Sequence, residues 1–423
     1  MDYDVKNYIK TDEQTDARIK EGIEKNRKGN FCIKTDAKTV KVKLKNHKFR
    51  FGGNLFMLDE IPDKPEKNEI YKQKFKKLFN MATLPFYWNA TEPEPGKTRY
   101  DIGSEKLYRR PAIDLCIKWC SENGIEPREH ALCYDHSFPD WLKNKPTIEV
   151  KKHLEERMKQ ISQRYADKIP TIEVTNEMFW GDGWITDFYL EDDYVVDSFK
   201  MAEKYFPNNE LGINEWSGDI WEPYPTPRNK YFLTIENALL KGARIDAIGM
   251  QYHMFYKKEE YQKRTEKFYD LKQLLSVMDL FAAFNKPIQI TEITVPSFCN
   301  EEEAENLQAD ILEKIYSTWF SHPLCEQIIY WNMPDGYAAF AEPGDMTSGE
   351  NYYYGGLVRF DMTEKAAYKR LYHLIHEVWT TDEQVECVNG KANFRGFYGE
   401  YEVEADGKKY NVMLDKDEKT VCL

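Results

Sequence analysis

The chain has 423 residues, 41% of them hydrophobic, enough for one large barrel or for two or three smaller domains. Its 72 Asp and Glu outnumber 59 Lys and Arg, and the net charge of −13 disfavours nucleic acid and anionic membrane as partners. Aromatic residues make up 14%, including 10 Trp and 28 Tyr, a surplus that suits a site stacking flat apolar faces such as sugar rings.

No apolar run approaches the roughly 20 residues of a membrane helix. The first residues, MDYDVKNYIKTDEQ, lack the apolar core of a signal peptide. The expectation is therefore a cytoplasmic protein, or a secreted one whose signal has been removed. Among the 8 cysteines, Cys116 and Cys120 lie one helical turn apart, but no second Cys or His pair follows at zinc spacing. They read as buried thiols, and neither metal nor cofactor is expected.

In chain order, residues 1–29 read as a charged leading helix or loose arm, and 31–44 as two short strands about a turn. Residues 49–56 form the first barrel strand, followed by a helix at 71–79. Strand 81–88 precedes helix 104–123, strand 127–134 helix 147–166, strand 171–177 helix 193–206, and strand 210–216 helix 229–242. Strand 246–253 precedes helix 265–284, strand 287–294 helix 301–320, and strand 327–332 helix 363–379. Eight strand–helix units predict an α/β fold, a closed (β/α)8 TIM barrel over residues 49–380. Beyond it, Asn389-Gly390 and Asp406-Gly407 separate alternating strands and signal hairpins. Residues 381–423 are too few for an independent domain. They are expected to pair with the strands of residues 1–48 as a small accessory β-module packed on the barrel.

The chemistry centres on residues 171–180, TIEVTNEMFW. Alternating β-branched residues build a strand that ends on Asn176-Glu177. Residues 287–292 repeat the plan and end on Thr291-Glu292. Catalytic groups in such barrels sit at the carboxyl ends of strands. Two strand-end glutamates from distant parts of the chain predict a paired-carboxylate site. Asn214-Glu215, after the fifth strand, offers a rival acid, and His136 beside Asp135 reads as a loop residue.

The motifs carrying this chemistry resemble those of glycoside hydrolase family 10, the retaining β-xylanases. Trp88 followed by Asn89-Ala90-Thr91-Glu92-Pro93 is similar to W-D-A-T-E-P. Arg128-Glu129-His130-Ala131-Leu132 with Pro139-Asp140-Trp141 resembles R-G-H-T-L and P-x-W. Glu173-Val174-Thr175-Asn176-Glu177 resembles D-V-V-N-E, and Gly249-Met250-Gln251-Tyr252-His253 resembles G-x-Q-x-H. Thr291-Glu292 matches T-E, and Tyr330-Trp331-Asn332 with Asp335 resembles W-G…D. The fragments occur in the family's order, each at a predicted strand end.

The resemblance implies a double displacement on xylan or xylan-derived oligosaccharides. Glu292 would be the nucleophile, His253 its hydrogen-bonding neighbour and Glu177 the acid/base. Asn176 would bind the sugar 2-OH, while Gln251, His130 and Glu215 support the site. Trp88, Tyr87, Leu84, Tyr134, Trp331 and Trp180 are expected to contact sugar. The chain would act as a monomer. Thr83, Leu84 and Tyr87 replace the Glu, Asn and Lys that the family offers to the glycone sugars. That departure implies a less polar pocket, and it leaves decorated xylan fragments or another β-glycan as alternative substrates. A carbohydrate-binding pseudoenzyme is the alternative outside catalysis.

Overall fold

The structure, a computed structural model, describes residues 3–423. Eight parallel strands close into a barrel: β3 (Arg50–Asn54), β4 (Met81–Pro85), β5 (Glu126–His130), β6 (Thr171–Asn176), β7 (Glu210–Glu215), β8 (Ala247–His253), β9 (Ile288–Thr294) and β10 (Cys325–Tyr330). β10 pairs back onto β3 to close the ring. In β6 and β9 every residue is buried, as expected for strands covered by side chains within the barrel and by helices outside it. The predicted TIM barrel is therefore observed. Among the described residues, no helix is long and apolar enough to cross a membrane.

The terminal strands form two further sheets. β1 (Lys28–Lys34) lies between β12 (Lys391–Phe397) and β15 (Thr420–Cys422). β2 (Thr39–His47) lies between β11 (Asp382–Glu386) and β13 (Gly399–Ala405), with β14 (Lys408–Leu414) outermost. β1 and β2 thus belong to different sheets and do not pair with each other. Trp379 stacks on Phe320 at 4.3 Å between centroids, and Phe320 meets Phe397 at 6.2 Å, so this aromatic cluster seats the sheets against the barrel.

Several helices are shorter than their periodicity suggests. The helix predicted at 104–123 starts only at Ile113. Pro111 disfavours helical backbone at Arg110, and Arg109 has φ +61°, so residues 104–112 stay irregular. The segment predicted as helix 265–284 is helical at Leu271–Phe281, where Asp270 caps by accepting from the Gln273 amide at 3.0 Å. The last barrel helix spans Ala366–His373 and ends in a wide turn over Leu374–Val378.

Candidate active site

The carboxyl ends of the barrel strands surround a cleft of about 960 Å³. Glu177 and Glu292 both line it, with Asn176, Gln251, His253, His130, Tyr87, Tyr134, Trp180 and Trp331. Strand register brings the central groups level: Asn176 of β6 pairs with Asn214 of β7, and Gln251 of β8 with Glu292 of β9. Register shifts between Glu173 and Thr175 and between Met250 and Gln251 re-aim the strand ends just below the mouth. Glu177 follows β6 with φ +52°, an uncommon backbone for a residue with a side chain. Gly249 is required by close approach, since a Cβ there would lie 2.6 Å from Asn214 Oδ1.

Neutral donors hold the two carboxyl groups. Glu177 accepts from Tyr134 Oη at 2.9 Å, Trp180 Nε1 at 2.8 Å and Gln251 Nε2 at 2.8 Å. Glu292 accepts from Asn214 Nδ2 at 3.1 Å, and its Oε2 lies 3.1 Å from His253 Nε2. Asn176 Oδ1 joins the two clusters, accepting from Asn214 at 2.9 Å and from Gln251 at 3.3 Å. Burial pushes Glu292 up to about 8 and His253 down to about 4. A neutral His253 can present Nε2–H to Glu292 while its Nδ1 accepts from Thr294 Oγ1 at 3.0 Å.

Beneath this layer, Glu173 is buried and ion-paired with Arg128, and it lies 2.8 Å from His130 Nδ1. Burial alone would raise Glu173, but Arg128 and His130 outweigh it and hold it below the ordinary range. Burial alone would lower His130, but the Glu173 charge and hydrogen bond raise it. The other ring nitrogen of His130 reaches Tyr87 Oη at 3.1 Å.

Two expected sugar contacts lie elsewhere. Leu84 is fully buried in the hydrophobic core and does not line the cleft. Successive strand residues point to opposite faces, which turns Leu84 away from the face shared by its neighbours Thr83 and Pro85. Trp88 is also buried: it packs 4.8 Å from Phe138 and 5.9 Å from Trp141, and donates to Glu92 Oε2 at 2.8 Å. It braces the loop after β4 and does not form the cleft wall. Glu215 lies behind the cleft, where it accepts the amides of Met178 at 2.8 Å and Trp216 at 2.9 Å. Burial raises it well above the ordinary carboxylate range, and its two amide bonds steady the backbone beside Glu177.

The structure adds residues that the motifs did not indicate. His136, in the short turn Asp135–Ser137, lines the cleft, its ring 5.5 Å from Trp180 and 5.8 Å from Tyr134. Trp216 lies 5.8 Å from Trp180 at a 31° tilt, and the pair makes an exposed aromatic wall. Arg109 and Arg110 enter from a stretch that reads as helix in sequence, and Glu350 from the short helical turn Gly349–Tyr353. Strand alternation could have separated Asn214, which bonds Glu292, from its neighbour Glu215.

Comparison with known proteins agrees with this geometry. Residues 43–373 match the sequence model of glycosyl hydrolase family 10. Endo-1,4-beta-xylanase 1 of Arabidopsis thaliana is 28% identical over 348 residues, covering 80% of this chain and 32% of that protein. The anti-sigma-I factor RsgI6 of Acetivibrio thermocellus is 26% identical over 395 residues, covering 89% and 44%. The chain thus spans less than half the length of these relatives. Among solved structures, native xylanase 10B of Thermotoga maritima superposes with a TM-score of 0.60 at 19% identity, over 78% of this chain and 96% of that one. Xylanase 10B of Thermotoga petrophila, in complex with xylobiose, gives 0.61 at 19% identity over 78% and 95%. The extent of the sequence match, running through the barrel and both strand-end glutamates, makes the chain a member of glycosyl hydrolase family 10.

Proposed function

We propose that the chain is a retaining β-glycosidase that cleaves β-1,4-linked xylan or xylan-derived oligosaccharides. The observation carrying this reading is the pair Glu177 and Glu292 in one cleft, linked through Gln251, Asn176 and Asn214. Neither carboxylate has a Lys or Arg partner within salt-bridge distance among the described residues. Two carboxyl groups without a neutralising cation can share one proton, the state in which one attacks and the other protonates.

Glu292 is the nucleophile in this reading. Its carboxylate attacks the anomeric carbon while Glu177 gives its proton to the leaving glycosidic oxygen. Glu177 then takes a proton from water, and that water breaks the Glu292–sugar ester with retention. The donors from His253 and Asn214 stabilise Glu292 when it is charged. Asn176 is placed to bond a sugar hydroxyl beside both carboxyl groups. Trp331 lies 5.5 Å from His130 and 6.0 Å from His253, and floors the site with an apolar face for a sugar ring. The xylanase relatives and the xylobiose-bound neighbour support a xylan-type substrate.

Incubation with an aryl β-xylobioside, with the first-formed anomer followed by NMR, tests the reading. β-Anomer is expected first. The α-anomer would exclude retention, and binding without hydrolysis would make the chain a carbohydrate-binding protein.

A further inference from the structure

Tyr87, which the sequence resemblance sets where the family offers a lysine, lines the cleft, and the irregular segment before Pro111 brings a guanidinium over it. Arg110 lies 4.0 Å above the Tyr87 ring and 5.4 Å from Phe56, and it lines the same cleft as Glu177 and Glu292. The end of the cleft next to β4 is therefore cationic, contrary to the less polar pocket that Leu84 and Tyr87 suggest in sequence.

The neighbours of Arg110 are already engaged. Arg109 donates to the Tyr337 carbonyl and, at 2.9 Å, to Asn332 Oδ1. Glu350, the carboxylate that lines this part of the cleft, accepts from Asn332 Nδ2 at 2.6 Å and from the Ala339 amide at 3.3 Å. Tyr87 Oη is paired with His130. Arg110 uses only Nη1, which donates to the Arg109 carbonyl at 2.9 Å. Among the described residues no carboxylate lies within ion-pair distance of it. Burial lowers its pKa to about 10, which still leaves it charged at neutral pH.

A partly buried guanidinium, stacked on an aromatic ring with one edge unused, is arranged to receive a carboxylate through two parallel N–H donors. The chain carries a net charge of −13, and Glu177, Glu292 and Asp182 also line the cleft. An anionic ligand would meet repulsion nearly everywhere else in it. We propose that Arg110, supported by Tyr87, binds the carboxylate of an acidic sugar, so that the preferred xylan-type substrate carries a uronic acid residue at the β4 end of the cleft. This rests on the glycosidase reading above and names the substrate class within it.

The test compares three oligosaccharides: linear xylotetraose, xylotetraose bearing one glucuronic acid, and the same decorated compound with its carboxyl reduced to the neutral alcohol. Calorimetric affinity and kcat/KM are both measured. The unaltered protein is expected to favour the acidic compound over its reduced form by about tenfold or more in each, and the margin shrinks in high salt. Arg110→Gln should bring that ratio close to one, and Arg110→Lys should keep part of it. Equal affinity of the unaltered protein for the acidic and reduced compounds, or binding of neither, would overturn the proposal. So would an unchanged ratio in a folded Arg110→Gln protein. Selective binding of the acidic compound with no cleavage of any of the three would refute the glycosidase reading and leave the carboxylate site standing.

Discussion

The two ends of the barrel both gather acidic groups, but they treat them in opposite ways. At the amino ends of the strands, Arg50 faces Glu126 at 3.3 Å and Glu210 at 3.6 Å and is ion-paired with Glu326. Gln289 adds hydrogen bonds to Glu210 at 2.6 Å and to Glu326 at 2.7 Å. Burial alone would lower Arg50, but the three carboxylates outweigh it and raise it. At the carboxyl ends, Glu177 and Glu292 are met by amides, an indole, a phenol and a neutral imidazole. A cation beside either would lock it in the charged state, whereas neutral donors leave a proton free to move between them. At the amino end the acidic groups share a cation; at the carboxyl end, where chemistry is proposed, they have none.

Removing the proposed nucleophile should have the largest effect. Glu292→Ala is expected to lower turnover by about 10⁴-fold or more, with azide restoring part of it and giving a product of inverted configuration. Near-normal turnover would move the nucleophile elsewhere and dissolve the contrast between the two ends.

Glu177→Ala separates substrates by leaving group. Unactivated xylo-oligosaccharides should slow by about 10²–10⁴-fold, while the glycosylation step of a dinitrophenyl glycoside, whose leaving group needs no proton, changes far less. An equal fall for both would remove Glu177 from the acid role.

Arg50→Met probes the opposite end. Three carboxylates would lose their cation, and the stability loss is expected to be about 3–5 kcal/mol in denaturant titration. Turnover per folded molecule should persist. A variant of normal stability but low kcat would show that the lower end is not simply structural.

The smallest effect concerns pH. Burial raises Glu292 from 4.5 to about 8. Between those values the folded chain keeps a proton that the unfolded chain releases, so this group's contribution to stability falls as pH rises. Glu292→Gln should therefore gain Tm over the parent at pH 8 relative to pH 5, by about 2 °C or more. The same shift predicts an acidic limb of kcat/KM near pH 8, with activity lost as pH falls and Glu292 becomes protonated. Identical Tm differences at the two pH values would mean that Glu292 is not the buried titrating group.

The pair at the mouth was legible because barrel strands end in stereotyped places. Thr171–Asn176 and residues 288–291 read as buried strand, and the glutamates at their carboxyl ends, Glu177 and Glu292, line the cleft. The neighbouring specificity surface was much less so. Trp88 opens the matched motif and Leu84 lies just before it, yet alternation turns Leu84 into the core and the loop after β4 folds Trp88 behind Phe138 and Trp141. Arg110 sits in a polar stretch that reads as the start of a helix, and no periodicity marks it for the cleft.

By itself the sequence determined the barrel, the count of its strands and the ends on which Glu177 and Glu292 stand, because burial periodicity is local and each signal spans only a few residues. Tertiary structure decided which side chains share a surface. Gln251 meets Glu177 through a register shift in β8, and Arg110 crosses to Tyr87 because Pro111 keeps its loop out of the helix. Such meetings depend on register, loop path and the rotation of each strand, which are set by packing across the whole barrel and not by any one segment.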